Sequence, residues 1–97
     1  MSVPKFLQPY LASYDLNKLD ATKDRNLIIR EVLNKGNHKA LVWLGKNYSR
    51  KELKGVIVSP TRGMWMRSIL SYWLKIFNIK LPKKTFEEAI VNLNPRE

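Results

Sequence analysis

The sequence contains no cysteine, a single histidine and only four glycines among its 97 residues. Without cysteine there can be no disulfide framework, no thiolate metal site and no cysteine nucleophile. This composition fits a reducing compartment, so we expect a cytoplasmic protein. The few glycines form neither G-x-x-x-x-G-K nor G-x-G-x-x-G, the loops that cradle nucleotide phosphates. A dedicated nucleotide-binding loop is therefore excluded.

Long hydrophobic runs are also missing. Residues 1–10 contain two prolines, one lysine and no apolar stretch of signal-peptide length. No later run approaches the length of a membrane-spanning helix. We therefore expect a protein that is neither secreted nor embedded in a membrane.

The chain offers no constellation of catalytic residues. His38 lies at a predicted helix start, with no acidic neighbour in the sequence to build a triad or a metal site. Asp20 and Asp24 are one helical turn apart, but capping and the helix dipole explain them better than acid-base catalysis. Capping and the helix dipole likewise explain Glu87 and Glu88 better than acid-base catalysis. We therefore predict a protein that is not an enzyme and has no catalytic residue, metal site or cofactor.

Acidic residues are scarce in the middle of the sequence. The chain has 18 Lys and Arg against 8 Asp and Glu, a formal net charge of +10. Twelve of the bases but only one acid, Glu52, lie between Val32 and Phe86, so this stretch carries +11 and the two ends sum to −1. Such asymmetry favours an anionic partner: nucleic acid, an acidic protein or an anionic membrane surface. A solvated basic surface without a partner is the alternative.

The spacing of apolar residues in the first half predicts helices rather than strands. An i, i+4 apolar stripe predicts a helix over about Ala21 to Lys35, with Asp20 as its N-cap. Asn37 is expected to cap a second helix. Ser49 and Glu52 form a capping box, which starts a third.

The second half is predicted to contain two more helices after a turn at 60–63. An apolar stripe predicts the first of them, from about residue 65 or 67 to residue 78. This stripe consists of Ile69, Trp73, Ile76 and Phe77. Thr85 and Glu88 form a second capping box, which predicts a last helix to about Leu93.

These elements predict an all-α fold, a compact bundle of four or five short helices in a single domain. Residues 1–19 are expected to form an N-terminal arm that packs on the core. Residues 20–79 are then the helical core domain, and residues 80–97 a basic linker and C-terminal helix. The helices between Lys39 and Val58 predict a helix-turn-helix-like corner. The match is loose, because the capping box places the second helix start after the usual turn.

Basic residues near this corner are the candidate binding residues. A basic second helix can enter a groove of nucleic acid, and two arginines beside Trp65 can hold phosphates. Ordinary helical packing with a solvated basic face is the alternative. Trp65 itself is expected in the core, in register with Ile69 and Trp73. The candidate nucleic-acid-binding residues are Lys46, Arg50, Lys51, Lys54, Arg62 and Arg67.

Short groups of residues between Tyr10 and Ile79 resemble a known family. They are Tyr14-Asp15-Leu16, Leu27-Ile28-Ile29, Val32-Leu33, Gly36, Trp43-Leu44, Tyr48-Ser49, Glu52-Leu53-Lys54, Val56, Pro60, Arg62-Gly63, Trp65, Ser68, Leu70, Tyr72-Trp73 and Ile76-Phe77. The sequence is similar to an uncharacterised family of small bacterial and archaeal proteins, some encoded beside nucleotidyltransferase-type toxins. The resemblance implies a common fold and an antitoxin-like or regulatory role, and it supplies no catalytic residues.

We therefore expect a non-catalytic binding protein, a nucleic-acid-binding or antitoxin-like regulator that acts through its basic face. The alternative is an interaction adaptor or an oligomeric structural protein. In that case Trp65, Tyr72 and the last helix would complete a homodimer or heteromer, and the positive charge would meet a toxin or another acidic protein. The sequence leaves DNA, RNA and protein open as partners, and we expect no membrane partner.

Overall fold

The computed structural model describes residues 3–91, and these residues are mainly helical. Two 3-10 helices come first, at Lys5–Tyr10 and Leu16–Lys18. The α-helices are α1 (Arg25–Lys35), α2 (His38–Asn47), α3 (Arg50–Val58), α4 (Arg67–Ile76) and α5 (Lys83–Ala89). Residues 3–91 contain no strand, and an isolated parallel bridge joins Trp65 to Ile90. The all-α prediction is confirmed.

The chain divides into two compact units, residues 1–53 and residues 54–97. The first unit contains the two 3-10 helices, α1 and α2, and the second contains α4 and α5. The helix α3 begins in the first unit and ends in the second. The expected division into an arm, a core domain and a C-terminal helix stays a prediction.

The core of the first unit forms around α1, which is buried on nearly all sides. Seven consecutive residues, from Ile28 to Asn34, are each at most 9% exposed. The first 3-10 helix and α2 both pack against α1. Leu7 and Leu11 of the N-terminal segment are fully buried, and burying side chains of this size contributes roughly 1.5–3 kcal/mol each. The irregular N-terminal segment is therefore anchored by its leucines.

α1 begins at Arg25, four residues later than the sequence predicts. The predicted cap, Asp20, instead closes a turn, because its carboxylate accepts hydrogen bonds from the Thr22 N–H at 2.7 Å and the Lys23 N–H at 2.9 Å. These amides, Lys23 first, lower the pKa of Asp20 to about 2. The Asp24 carboxylate reaches back to the Asp20 N–H at 2.8 Å. Local side-chain hydrogen bonds thus hold a turn where a helix is predicted.

The caps predicted for α2 and α3 are confirmed. Asn37 Oδ1 accepts a hydrogen bond from the Ala40 N–H at 3.0 Å. Ser49 Oγ accepts one from the Glu52 N–H at 3.1 Å, and Glu52 Oε1 accepts one from the Ser49 N–H at 2.8 Å. This reciprocal pair is a capping box. The side chains therefore determine where both helices begin.

The corner between α1 and α2 requires a glycine. A Cβ atom at Gly36 would lie 2.6 Å from the Val32 carbonyl oxygen and 3.1 Å from the Ala40 Cβ. A contact of that kind with backbone cannot be relieved by moving a side chain. The close approach of the chain at this corner thus depends on the missing Cβ.

α4 and its C-cap bury only part of the apolar stripe that the sequence predicts. Leu70 is fully buried and Phe77 is 6% exposed, whereas Ile76 is 48% exposed. Trp73 is only half-buried. Leu70 and Phe77 are seven residues apart and share one helix face, and Ile76 lies about 100° away from Phe77 around the axis. The prediction that Ile76 faces the core is wrong.

α5 begins at Lys83, directly after Pro82. The Phe86 N–H already donates to the Pro82 carbonyl oxygen at 3.0 Å, so Thr85 lies inside the first turn. The prediction that Thr85 and Glu88 form a capping box is therefore wrong. The helix ends at Ala89, and its predicted end near Leu93 lies outside the described residues.

Backbone hydrogen bonds join the segment before α4 to the end of α5. The Trp65 N–H donates to the Ala89 carbonyl oxygen at 2.9 Å, and the Val91 N–H donates to the Trp65 carbonyl oxygen at 2.8 Å. The Gly63 N–H donates to the Glu88 carbonyl oxygen at 2.9 Å. Gly63 has a φ of +69°, a conformation that favours glycine. Trp65 is fully buried, as the sequence predicts.

Candidate functional site

The first four candidate residues lie on α3 and in the last turn of α2. Arg50, Lys51 and Lys54 are exposed on α3, and Lys46 is exposed on α2. Helical residues three or four positions apart are neighbours, so Lys54 lies beside both Arg50 and Lys51. The helix therefore brings three of the predicted residues together on one exposed surface.

The connection between α2 and α3 is only two residues long, Tyr48 and Ser49. The Tyr48 hydroxyl donates to the Ala21 carbonyl oxygen at 2.7 Å, and the Tyr48 ring lies edge-on to Trp43 with 5.8 Å between centroids. Burial raises the pKa of Tyr48 to about 12, so the hydroxyl stays a neutral donor. The connection is thus fixed to the first unit, while a helix-turn-helix-like role for it stays a prediction.

Glu52, the one acid between Val32 and Phe86, is already engaged inside the protein. Its carboxylate accepts the Ser49 N–H and lies 3.0 Å from Arg25 Nη1. The hydrogen bond from the Ser49 backbone is the main cause that holds the pKa of Glu52 below its ordinary value. Glu52 therefore forms its ion pair with Arg25 and not with a lysine of α3.

The last two candidates, Arg62 and Arg67, lie in the second unit and both meet acids of α5. Arg62 Nη2 is 3.9 Å from Glu88 Oε2, a loose contact. Arg67 donates two hydrogen bonds to Glu87, and its guanidinium lies 5.4 Å from the centroid of the Phe86 ring. These hydrogen bonds lower the pKa of Glu87 and raise that of Arg67. Sequence spacing carries no signal for such pairs, because the partners are far apart along the chain.

The acids of residues 32–91 form ion pairs with arginines and not with the lysines after residue 36. Glu52, Glu87 and Glu88 are the acids of residues 32–91, and each lies against an arginine. Within the described part of the chain, no ion pair is formed by any lysine after residue 36. These lysines are Lys39, Lys46, Lys51, Lys54, Lys75, Lys80, Lys83 and Lys84.

Sequence reasoning missed a buried cluster of charges in α1. Glu31 is 3% exposed, and its two carboxylate oxygens lie 2.9 Å from Arg30 Nε and 2.8 Å from Lys35 Nζ. Arg30 Nη2 also donates to the Tyr14 hydroxyl at 3.2 Å. The only signal in the sequence is the i, i+4 spacing of Glu31 and Lys35. The cluster links Tyr14 of the N-terminal segment to α1. Its carboxylate is bound by two cations, so Glu31 is not available to a partner.

The structure also places the residues considered for catalysis or metal binding. His38 is exposed at the start of α2. Among residues 3–91, no group of three or more His, Asp or Glu side chains could hold a metal ion. No helix within this range is both long and apolar enough to cross a bilayer. A pocket of about 270 Å³ is lined by Arg67, Glu87, Ile90 and Val91, and its two charged groups bind each other.

Comparison with known proteins supplies a family but no activity. A family model described as "Family of unknown function (DUF6922)" matches residues 8–57, just over half of the 97 residues. The matched stretch contains the four candidate residues of α2 and α3, but neither candidate arginine of the second unit. No curated protein and no solved structure matches the chain.

Proposed function

The chain belongs to the family of unknown function DUF6922, and we propose that it is a non-catalytic protein that binds DNA or RNA through a basic surface on α2 and α3. Lys46, Arg50, Lys51 and Lys54 would contact the phosphates. One observation carries this proposal: arginines engage all the acids of residues 32–91, and the lysines after residue 36 form no ion pair within the described part of the chain.

Lysines without acidic partners are suited to phosphate binding. Each one that meets a phosphate releases condensed counterions, and this release drives association. An ammonium group is a flexible point charge, without the planar fork by which arginine reads a guanine edge. We therefore expect an affinity that depends steeply on salt and weakly on base sequence.

Three of these four residues, Lys46, Arg50 and Lys51, lie in the first unit, where the start of α3 is fixed. The capping box sets the start of α3, and the hydrogen bond from Tyr48 to Ala21 anchors the connection that precedes it. Lysines held on a regular helix keep a constant spacing, which helps them to meet successive phosphates. The family match at residues 8–57 includes this surface.

The finer part of the proposal is the biological setting. We propose an antitoxin-like regulator in the cytoplasm of a prokaryote. The resemblance to small proteins encoded beside nucleotidyltransferase-type toxins supports the regulatory role. The absence of cysteine supports a reducing compartment.

Fluorescence anisotropy with labelled duplex DNA and duplex RNA, at several salt concentrations, tests the binding proposal. The decisive variant is Lys51→Gln with Lys54→Gln, which removes two neighbouring charges from α3. We expect weaker binding, and we expect the slope of log affinity against log salt to flatten by about 0.9 for each phosphate of B-DNA that the variant no longer neutralises. Thermal stability should change little, because both side chains are exposed.

The matched control is Lys5→Gln with Lys18→Gln, which removes the same charge from two exposed lysines of the 3-10 helices. We expect a smaller drop in affinity than for the α3 pair. Equal drops for the two pairs would mean that only net charge matters. No binding of either duplex at low salt would contradict the proposal.

A protein partner is the second candidate, because α2 and α3 each have an exposed valine one helical turn from a candidate lysine. Val42 on α2 is 40% exposed and Val58 on α3 is 44% exposed. An acidic protein such as a toxin, or a second copy of the chain, would cover both the apolar and the charged groups. Sedimentation velocity at increasing concentration, with Val42→Ser and Val58→Ser as variants, tests self-association. A monomer at every concentration excludes the oligomeric form of this alternative.

A further inference from the structure

The most exposed large apolar side chain among residues 3–91 is that of Tyr72 on α4, at 54%. Its ring centroid lies 4.9 Å from that of Trp73, with the ring planes at 78°. Trp73 in turn lies 6.2 Å from the ring of the buried Phe77. An edge-to-face contact covers at most one face of the Tyr72 ring. The ring therefore contacts Trp73 and still leaves about half of the residue exposed, at 54%.

Two of the helical neighbours of Tyr72 are groups that can bind a phosphate. Ser68 precedes it by four residues and Lys75 follows it by three, and both are exposed. Positions three and four apart lie side by side on a helix. An ammonium group and a hydroxyl group thus border the exposed aromatic ring, together with the exposed Ile76 four residues on.

The charge around this surface has a single sign. Residues 53–86 contain no Asp or Glu. The two acids of α5, Glu87 and Glu88, lie against Arg67 and Arg62. Lys75 and Lys80 form no ion pair within the described part of the chain. The segment that carries the exposed ring therefore has a positive net charge, which is complementary to a polyanion.

We propose that Tyr72 stacks on a base of single-stranded nucleic acid while Lys75 binds a neighbouring phosphate. The inference rests on the proposed function, and it adds that the second unit prefers single-stranded to duplex nucleic acid. Stacking on an aromatic side chain requires an unstacked base, which a duplex does not offer. A second copy of the chain fits less well, because it would bring Lys75 against the same positive charge.

Fluorescence anisotropy tests the inference with a labelled single-stranded oligothymidylate and a labelled duplex of the same length. Tyr72→Leu keeps the apolar bulk but removes the ring, and it is expected to weaken single-strand binding by about 5- to 150-fold. Tyr72→Phe keeps the ring and should restore most of the affinity. Duplex binding should be nearly the same in the parent and in both variants.

Two further variants separate stacking from simple apolar or electrostatic contact. Ile76→Ala is the matched control, since Ile76 is 48% exposed one turn beyond Tyr72 and has no ring. It should leave single-strand affinity nearly unchanged. Lys75→Gln should flatten the salt dependence on the single strand by about 0.7. Circular dichroism melting curves check that each variant folds like the parent.

The outcomes separate this inference from the proposed function. If neither oligonucleotide binds at low salt, both fail. If both oligonucleotides bind and Tyr72→Leu weakens neither, the proposed function stands and the stacking role is overturned. Equal weakening by Tyr72→Leu and Ile76→Ala would also overturn stacking, because a general apolar contact would explain it. Weaker binding in Tyr72→Leu alone, rescued in Tyr72→Phe, supports it.

Discussion

The guanidinium of Arg67 and the carboxylate of Glu87 bind each other at two points, Nη1 to Oε2 at 2.9 Å and Nη2 to Oε1 at 2.6 Å. This bidentate geometry is the strongest form of an arginine–carboxylate contact. The Phe86 ring beside the guanidinium restricts it further. Arg67 is therefore occupied within the second unit, although its position beside Trp65 in the sequence makes it a candidate for phosphate binding.

Glu87→Gln is expected to strengthen nucleic-acid binding, because it loosens the hold on Arg67 and removes a negative charge. If Arg67 then meets a phosphate, the salt slope measured by anisotropy should steepen by about 0.7 to 0.9. Glu88→Gln is the control: it changes the charge equally, but Glu88 holds Arg62 only loosely, at 3.9 Å. A weaker affinity for Glu87→Gln than for the parent would contradict this prediction.

Tyr48→Phe is expected to lower the free energy of unfolding by about 1–3 kcal/mol, since it leaves the buried Ala21 carbonyl oxygen without its donor. Urea denaturation followed by circular dichroism measures the change. Tyr72→Phe is the matched control, because its hydroxyl belongs to a side chain that is 54% exposed. Equal stability of Tyr48→Phe and the parent would show that the hydrogen bond contributes little.

The same tyrosine gives a prediction at alkaline pH. Burial raises the pKa of Tyr48 from 10.0 to about 12, whereas the unfolded chain releases this proton near pH 10. Its contribution to stability is therefore fully present below pH 10 and is lost as the pH rises through about 12. The decline in stability over this range should be smaller in Tyr48→Phe than in the parent. An ultraviolet titration in which all four tyrosines ionise together would contradict it.

Trp65→Ala is expected to destabilise the protein by about 3–5 kcal/mol, the usual cost of removing a large buried aromatic side chain. Trp65 is 0% exposed, whereas Trp73 is half-buried. The apolar stripe in the sequence would assign the same cost to Trp73. The structure instead predicts a clearly smaller destabilisation for Trp73→Ala. Denaturation of both variants by urea decides between these expectations, and equal destabilisation would support the stripe.

The helix starts could be predicted where the partner of a capping group is local. Asn37 caps an amide three residues away, and Ser49 and Glu52 exchange hydrogen bonds over the same spacing. Such contacts lie within a single turn of the chain, so the residue types and their spacing suffice to predict where the helix begins. The same rule gave a wrong prediction at Thr85. α5 begins at Lys83, directly after Pro82, so Thr85 lies inside the helix and does not cap it. Asp20 caps a turn rather than α1, because its own carboxylate satisfies the amides that follow it.

The positive charge of the candidate site could be predicted from the sequence, but the ion pairs that its basic residues form could not. Composition alone identifies the basic stretch around α3, since the count of acids and bases needs no geometry. It does not tell an arginine held by a glutamate from a lysine without an acid. Arg67 and Glu87 are 20 residues apart, and they meet only because α5 packs beside the start of α4. Tertiary contacts therefore decide which basic side chains are left without an acidic partner.

By itself, the sequence determined the helical class, two of the helix caps and the excess of positive charge, because each depends on residue types or on spacing within one turn. Tertiary structure decided which side of α4 is buried and which acids are already bound. α4 is apolar on several sides, so its spacing alone suits either orientation. Packing selects Leu70 and Phe77 for the core and leaves Tyr72 and Ile76 exposed. Which residues remain available to a partner depends on long-range contacts that no local pattern contains.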